Sequence, residues 1–248
     1  MQPLSIFIGY DPNEKQAYDV FEYTLHQHTK HPLHIQPIIL DECRKAGLFW
    51  RQFDRTSGKI WDLISQAPCS TEFSITRFLT PHLSDTQWAL FYDCDMLARE
   101  DISRLFAMAD DRYAVMVTKH VHLVTDGSLK MDGQTQTAYS KKNWSSCMLF
   151  NTKHPANRGL TLDLINTVPG RMLHSFCWLK EEDIGELPLS WNHLVGYPAP
   201  INGDGLVYPA YDYDRVNVVH FTEGIPTMQG YEHCEFADEW RKALIELS

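Results

Sequence analysis

Residues Trp88-Ala89-Leu90-Phe91-Tyr92 form an apolar run without a polar interruption, and the run ends abruptly at Asp93-Cys94-Asp95. A strand buried within a sheet reads as such a continuous run. The carboxyl end of a strand in an open α/β sheet opens onto the edge where ligands bind. Residues two apart on a strand face the same way, so both carboxylates can converge on one point. Paired carboxylates at that range repel, and a hard divalent cation relieves the repulsion. Mg²⁺ or Mn²⁺ held by few carboxylates completes its shell with substrate phosphates. The first expectation is therefore a metal–diphosphate site. An isolated Asp-x-Asp is a short motif, and an ordinary acidic strand end is its plain alternative.

The remaining pattern supports an α/β sheet. Ser5–Gly9 reads as a first strand. Asp11 can cap the helix that follows, Pro12 suits its first position, and Glu14 completes a capping box. Tyr18, Phe21 and Leu25 then recur at helical spacing. Leu33–Leu40 reads as a strand, and Pro37 argues against a central place for it. The pattern predicts helices over Thr71–Leu83, Asp101–Met108, Leu160–Val168 and Glu235–Leu247. It predicts strands over Gln87–Tyr92, Tyr113–Thr118, Ser146–Phe150 and Arg215–Phe221. This alternation indicates one mixed, Rossmann-like sheet with helices on both faces, in a single domain over residues 1–248. Segments 119–142 and 185–214 are polar and long, as substrate-selecting loops are.

Composition narrows the function classes. The net charge of −10 argues against nucleic acid as a partner and demands a local positive centre for any nucleotide. No apolar run approaches the length of a membrane span, and the N-terminus reads as a strand rather than a signal peptide. The six cysteines form no Cys-x-x-Cys pair, so a structural zinc is not expected; reduced thiols in a cytoplasmic protein are. Oligomeric state leaves no trace in the sequence.

Three blocks, in order, carry a resemblance to the family 8 glycosyltransferases, retaining enzymes of the GT-A fold. The first joins Phe73-Ser74-Ile75-Thr76-Arg77-Phe78, Phe91-Tyr92-Asp93-Cys94-Asp95-Met96-Leu97 and Asp101-Ile102-Ser103-Arg104-Leu105-Phe106. The second is Met148-Leu149-Phe150-Asn151. The third is Val219-His220-Phe221-Thr222-Glu223-Gly224. The resemblance implies transfer of a hexose from a nucleotide-diphosphate sugar, a UDP-sugar, to a carbohydrate or glycoconjugate acceptor, with Mn²⁺ or Mg²⁺ as cofactor. It implies Asp93, Asp95 and His220 as metal ligands. It places Gly9, Tyr10, Asp11, Arg77, Tyr92, Asp93 and Gly224 against the nucleotide, with Tyr10 stacking on the base and Arg77 approaching the diphosphate. Glu181-Glu182-Asp183 is similar to the family's sugar-binding acidic stretch, so Glu182 and Asp183, with Arg77, are the expected catalytic residues.

The chain also departs from the family. Trp144-Ser145-Ser146 stands where the family has Asn-Ala-Gly, and no lysine follows Gly224 to grip the diphosphate. These departures motivate a second reading, a non-catalytic sugar-nucleotide binder. A third is a phosphatase of the haloacid dehalogenase type, which also ends a strand in Asp-x-Asp, although Leu97 stands where that group has Thr or Val. His120 with His122 is a further candidate metal pair. The aromatic residues Trp191, Tyr197, Tyr208, Tyr211 and Tyr213 are candidate sugar-stacking faces.

Overall fold

A computed structural model describes residues 2–121, 141–197 and 215–247. Strand and helix alternate at first: β1 (Leu4–Gly9), α1 (Lys15–His28), β2 (Leu33–Ile38) and α2 (Leu40–Lys45). Three short strands follow, β3 (Phe53–Asp54), β4 (Ile60–Asp62) and β5 (Ala67–Cys69), and pair antiparallel in a sheet of their own. Next come α3 (Phe73–Thr76), a tighter turn over Arg77–Leu79, and α4 (Thr80–Leu83). They lead into β6 (Trp88–Tyr92), β7 (Met96–Ala98), α5 (Ser103–Phe106) and β8 (Val115–Thr118). The remainder comprises β9 (Cys147–Asn151), α6 (Leu162–Thr167), α7 (Gly170–His174), β10 (Ile184–Leu187), β11 (His193–Leu194), β12 (Val218–His220) and α8 (Ala237–Leu247).

The main sheet has six strands in the order β10-β8-β9-β6-β1-β2. β9 runs antiparallel to both of its neighbours, while β10 pairs parallel with β8, and β1 parallel with both β6 and β2. Five strands therefore point one way and β9 points back. Their carboxyl ends share one edge with the residues that enter β9, and that edge carries the site. β8 and β9 are buried at every position, and β6 at all but its first. Complete burial of a Phe or Leu such as Phe91 or Leu90 stabilises by about 2 kcal/mol each. β2 lies at the sheet's edge, where Pro37 costs no internal ladder bond.

The expected alternation holds, with shorter elements. The segment 71–83 is three successive short turns of helix rather than one. The expected loop 185–214 holds regular structure in its described part: the end of β10, a turn over Leu189–Trp191, and β11. The small sheet β3–β4–β5 was not foreseen. Among the described residues, no helix is long and apolar enough to cross a membrane.

Candidate active site

A second sheet assembles the site. β12 pairs antiparallel with β7, setting His220 opposite Met96, and the Phe221 amide donates to the Asp95 carbonyl at 2.9 Å. The turn between β6 and β7 carries Asp93 and Asp95, so this pairing brings a histidine 125 residues away in sequence to the two aspartates. One ligand atom from each of Asp93, Asp95 and His220 lies within 4.8 Å of the others. His220 Nε2 is 3.3 Å from Asp95 Oδ1, and that buried oxygen meets no hydrogen-bond donor. An orphaned carboxylate oxygen, a second carboxylate and an imidazole nitrogen form a donor set that fits Mn²⁺ or Mg²⁺.

Arg77 is buried beside them rather than on the surface. Its guanidinium lies between the rings of Phe73 and Phe91, pairs with Asp93 Oδ1 at 2.7 Å and donates to the Ser145 carbonyl at 2.9 Å. Its observed partner is thus a carboxylate of the Asp93–Asp95–His220 cluster. Burial raises the Asp93 carboxyl above its ordinary value; Arg77 opposes this, and Asp95 adds to it.

The turn after β1 borders the same edge, because Ile8 is in register with Tyr92. Gly9 is required there: a Cβ at this position would come within 2.3 Å of the Phe73 ring. Tyr10 meets Tyr18 edge-to-face at 5.5 Å. Asp11 caps the turn that opens α1. Its two oxygens accept from the amides of Asn13 at 2.9 Å and Glu72 at 3.0 Å, so both are occupied. Glu14 makes no capping box. Its carboxyl turns to the Cys94 thiol, which donates to it at 3.0 Å, and burial pushes its pKa up to about 7, with Asp95, Asp11 and Asp93 adding to the rise. Gly224 is packed under Tyr231, whose ring a Cβ would meet at 2.6 Å.

Several expected residues are placed elsewhere. The Tyr92 side chain is fully buried and its hydroxyl donates to the Trp191 carbonyl at 2.7 Å, so a nucleotide could meet only its backbone. Glu182 and Asp183 precede β10, whereas the site lies beyond the carboxyl end of that strand. The length of β10, roughly 10 Å at 3.3 Å per residue, separates them from that edge. There Glu182 is exposed and pairs with Lys180 at 3.5 Å, and Asp183 accepts from the Lys180 amide at 3.1 Å. Both lie at the far edge of the sheet, where Asp183 closes the turn over Glu181–Asp183, away from the Asp93–Asp95 edge. Trp191 is core rather than a sugar platform. His120 is buried against the Trp144 indole, which donates to its carbonyl; His122, Tyr208, Tyr211 and Tyr213 lie outside the described residues.

The hydroxyls of Ser145 and Ser146 are engaged internally. The Ser145 hydroxyl bonds His174 Nδ1 at 2.7 Å, and burial holds that histidine's pKa down to about 3. The Ser146 hydroxyl donates to the Asn143 carbonyl at 2.7 Å. Sequence reasoning also missed Asn192, which bonds His220, and Lys142. The latter donates to the Tyr197 hydroxyl at 3.1 Å, and that hydroxyl donates to Glu223 at 3.1 Å. This brings a lysine to the loop after His220, where the sequence itself has none.

The fold is the GT-A type, a central mixed sheet with helices as in glycosyltransferases. The structure matches the bifunctional glycosyltransferase WbbM (14% identity, TM-score 0.59) over 99% of this chain and 51% of WbbM. It matches the glycosyltransferase GlyE of Streptococcus pneumoniae TIGR4 (13%, 0.59) over 98% of this chain and 61% of GlyE, so the chain spans only part of both. It matches the galactosyltransferase LgtC, solved with donor and acceptor sugar analogs (13%, 0.53), over 99% of this chain and 96% of LgtC. No protein-family model matches the sequence. The chain is 41% identical over 246 residues to Protein CDI of Arabidopsis thaliana, covering 99% of this chain and 87% of that protein, and it belongs to the same family.

Proposed function

We propose that this protein is a divalent-metal-dependent glycosyltransferase, similar to family 8, moving a hexose from a UDP-sugar to a carbohydrate or glycoconjugate acceptor with retention. The observation that carries the proposal is the convergence of Asp93, Asp95 and His220 at the carboxyl edge of a GT-A sheet. These three residues would hold Mn²⁺ or Mg²⁺, which when bound supplies Lewis-acid neutralisation of the diphosphate leaving group.

The chain's own residues do the rest. Arg77 acts through Asp93: the ion pair and the Ser145 carbonyl bond fix the carboxylate's place. The turn Gly9-Tyr10 is where the nucleoside would lie, with Tyr10 held by Tyr18 as a preset face. The bond to the anomeric carbon breaks through an oxocarbenium-like transition state. Carboxylates near that edge include Asp93, Asp95, Asp11 and Glu14, and these are nearer to a sugar held there than Glu182 or Asp183.

The test is donor hydrolysis without acceptor. UDP-glucose and UDP-galactose are incubated with the protein and Mn²⁺, and released UDP is measured. Slow release that EDTA abolishes supports a transferase. Metal-dependent UDP binding without release from any UDP-hexose identifies a sugar-nucleotide binder instead.

A further inference from the structure

His220 lies between two partners. Its Nδ1 is 2.9 Å from Asn192 Oδ1, and its Nε2 is 3.3 Å from Asp95 Oδ1. An imidazole nitrogen that carries a proton has no lone pair to give a metal, so the tautomer decides whether the site can work.

That choice is made several groups away. The Asn143 carbonyl can only accept a hydrogen bond, and Ser146 Oγ is 2.7 Å from it, so the serine's proton is committed there. Asn143 adopts φ 66°, the left-handed conformation that asparagine tolerates, and its carbonyl belongs to the turn that enters β9. With its proton used, Ser146 Oγ can only accept from Asn192, which approaches to 2.9 Å. The approaching atom is therefore the amide nitrogen. The same nitrogen lies 3.0 Å from Thr118 Oγ1. Asn192 Oδ1 is thereby turned to His220, and only an Nδ1–H can bond it.

We infer that Asn192 is a positioning residue that holds His220 in the Nδ1–H tautomer and keeps the Nε2 lone pair aimed at a divalent cation between Asp93 and Asp95. The inference rests on the metal-site reading above. Asn192 is 0% and His220 3% exposed, so bulk water does not replace the bond between them. The Ser146 carbonyl also accepts the Asp93 amide at 3.1 Å. One serine therefore braces both sides of the metal site, the Asp93 backbone directly and the His220 ring through Asn192. Partners of this kind orient metal-bound histidines generally.

The competing arrangement is definite. With the Asn192 amide reversed, its nitrogen would face His220 Nδ1, and Nε2–H would donate to Asp95 Oδ1 and close the site. That reversal sets two oxygens, Asn192 Oδ1 and Ser146 Oγ, against each other at 2.9 Å while the serine proton stays on Asn143.

The tautomer is read from long-range ¹H–¹⁵N spectra of the metal-free protein, with the His220 ring assigned by a His220→Gln variant. A protonated Nδ1 and a bare Nε2 are expected; a protonated Nε2 overturns the inference. Affinity is read with Mn²⁺ alone, by the paramagnetic resonance of the free ion. Asn192→Ala is expected to weaken Mn²⁺ binding about 10- to 100-fold and to shift the His220 ring toward Nε2–H. Equal Mn²⁺ binding in the wild type and Asn192→Ala overturns the role of Asn192 and leaves the metal site standing. A wild type that binds no Mn²⁺ overturns the site reading and this inference together. Reading the wild-type tautomer does not involve Asn192→Ala, so an unfolded Asn192→Ala leaves the test intact.

Discussion

Among the described residues, the buried pairs Arg51–Asp62 and Arg77–Asp93 behave oppositely. Arg51 and Asp62 are both 0% exposed at the side chain, and Arg51 spends its donors inside the protein. Its Nε bonds Asp62 at 2.8 Å, its Nη1 the carbonyls of Ile165 and Val168, and its Nη2 Asp62 and Ser65. Burial alone would raise the Asp62 carboxyl, but the bonds from Arg51 and Ser65 outweigh it and hold the group below its ordinary value. Arg77 and Asp93 are matched less completely. The same Asp93 faces Asp95 and His220, and its carboxyl stays raised. A closed pair clamps the β3–β4–β5 sheet to α6; an open pair keeps a charge deficit for something else to fill. Buried carboxylates are thus separated by what is left over after their partners are counted.

This contrast is sharpest when each arginine is removed. Arg51→Ala strands a fully buried carboxylate and should cost about 3–5 kcal/mol in denaturant unfolding. Arg77→Ala should cost less, because the Asp93 carboxyl, already raised to about 6, takes up a proton more readily once unpaired. Mn²⁺ should return part of the stability lost in Arg77→Ala and none of that lost in Arg51→Ala. Equal rescue of both, or of neither, would erase the distinction.

The next effect concerns pH. Burial raises Glu14 from its ordinary 4.5 to about 7, so the native chain holds a proton that the unfolded chain has already released. Stability of the metal-free protein should fall as pH rises from about 4.5 to about 7, by at most about 3 kcal/mol from this group. Thermal melts across that window should be flatter for Glu14→Gln. The smallest effect is expected at the far edge of the sheet. Glu182→Ala should leave UDP-sugar hydrolysis unchanged, and a strong loss would return the acidic stretch to the site.

Much of the edge was legible because burial and period are local properties. Trp88–Tyr92 reads as a covered strand, and the aspartates that end it fall where the chain emerges. His220 ends the run Val216–Val219 in the same way, although its pairing with β7 is not visible in sequence. Glu182 and Asp183 fall away from that edge because direction matters as much as composition: they precede β10, which runs parallel to β8, so they sit at its opposite end. β3, β4 and β5 are two or three residues long, too short for any alternation to show. His220, Asn192 and Ser146 form a network of side chains from three segments, and no spacing within one segment encodes it.

The most direct test is thermal melting of the wild type with UDP, with Mn²⁺, and with both, against EDTA and against Asp95→Ala. Ligand at about 100 times its dissociation constant should stabilise by about 2.7 kcal/mol. The account predicts a shift well beyond either ligand alone when UDP and Mn²⁺ are present together, lost with EDTA and in Asp95→Ala. An unchanged melting temperature in every mixture, or an equal shift in Asp95→Ala, would contradict a metal–diphosphate site at Asp93, Asp95 and His220.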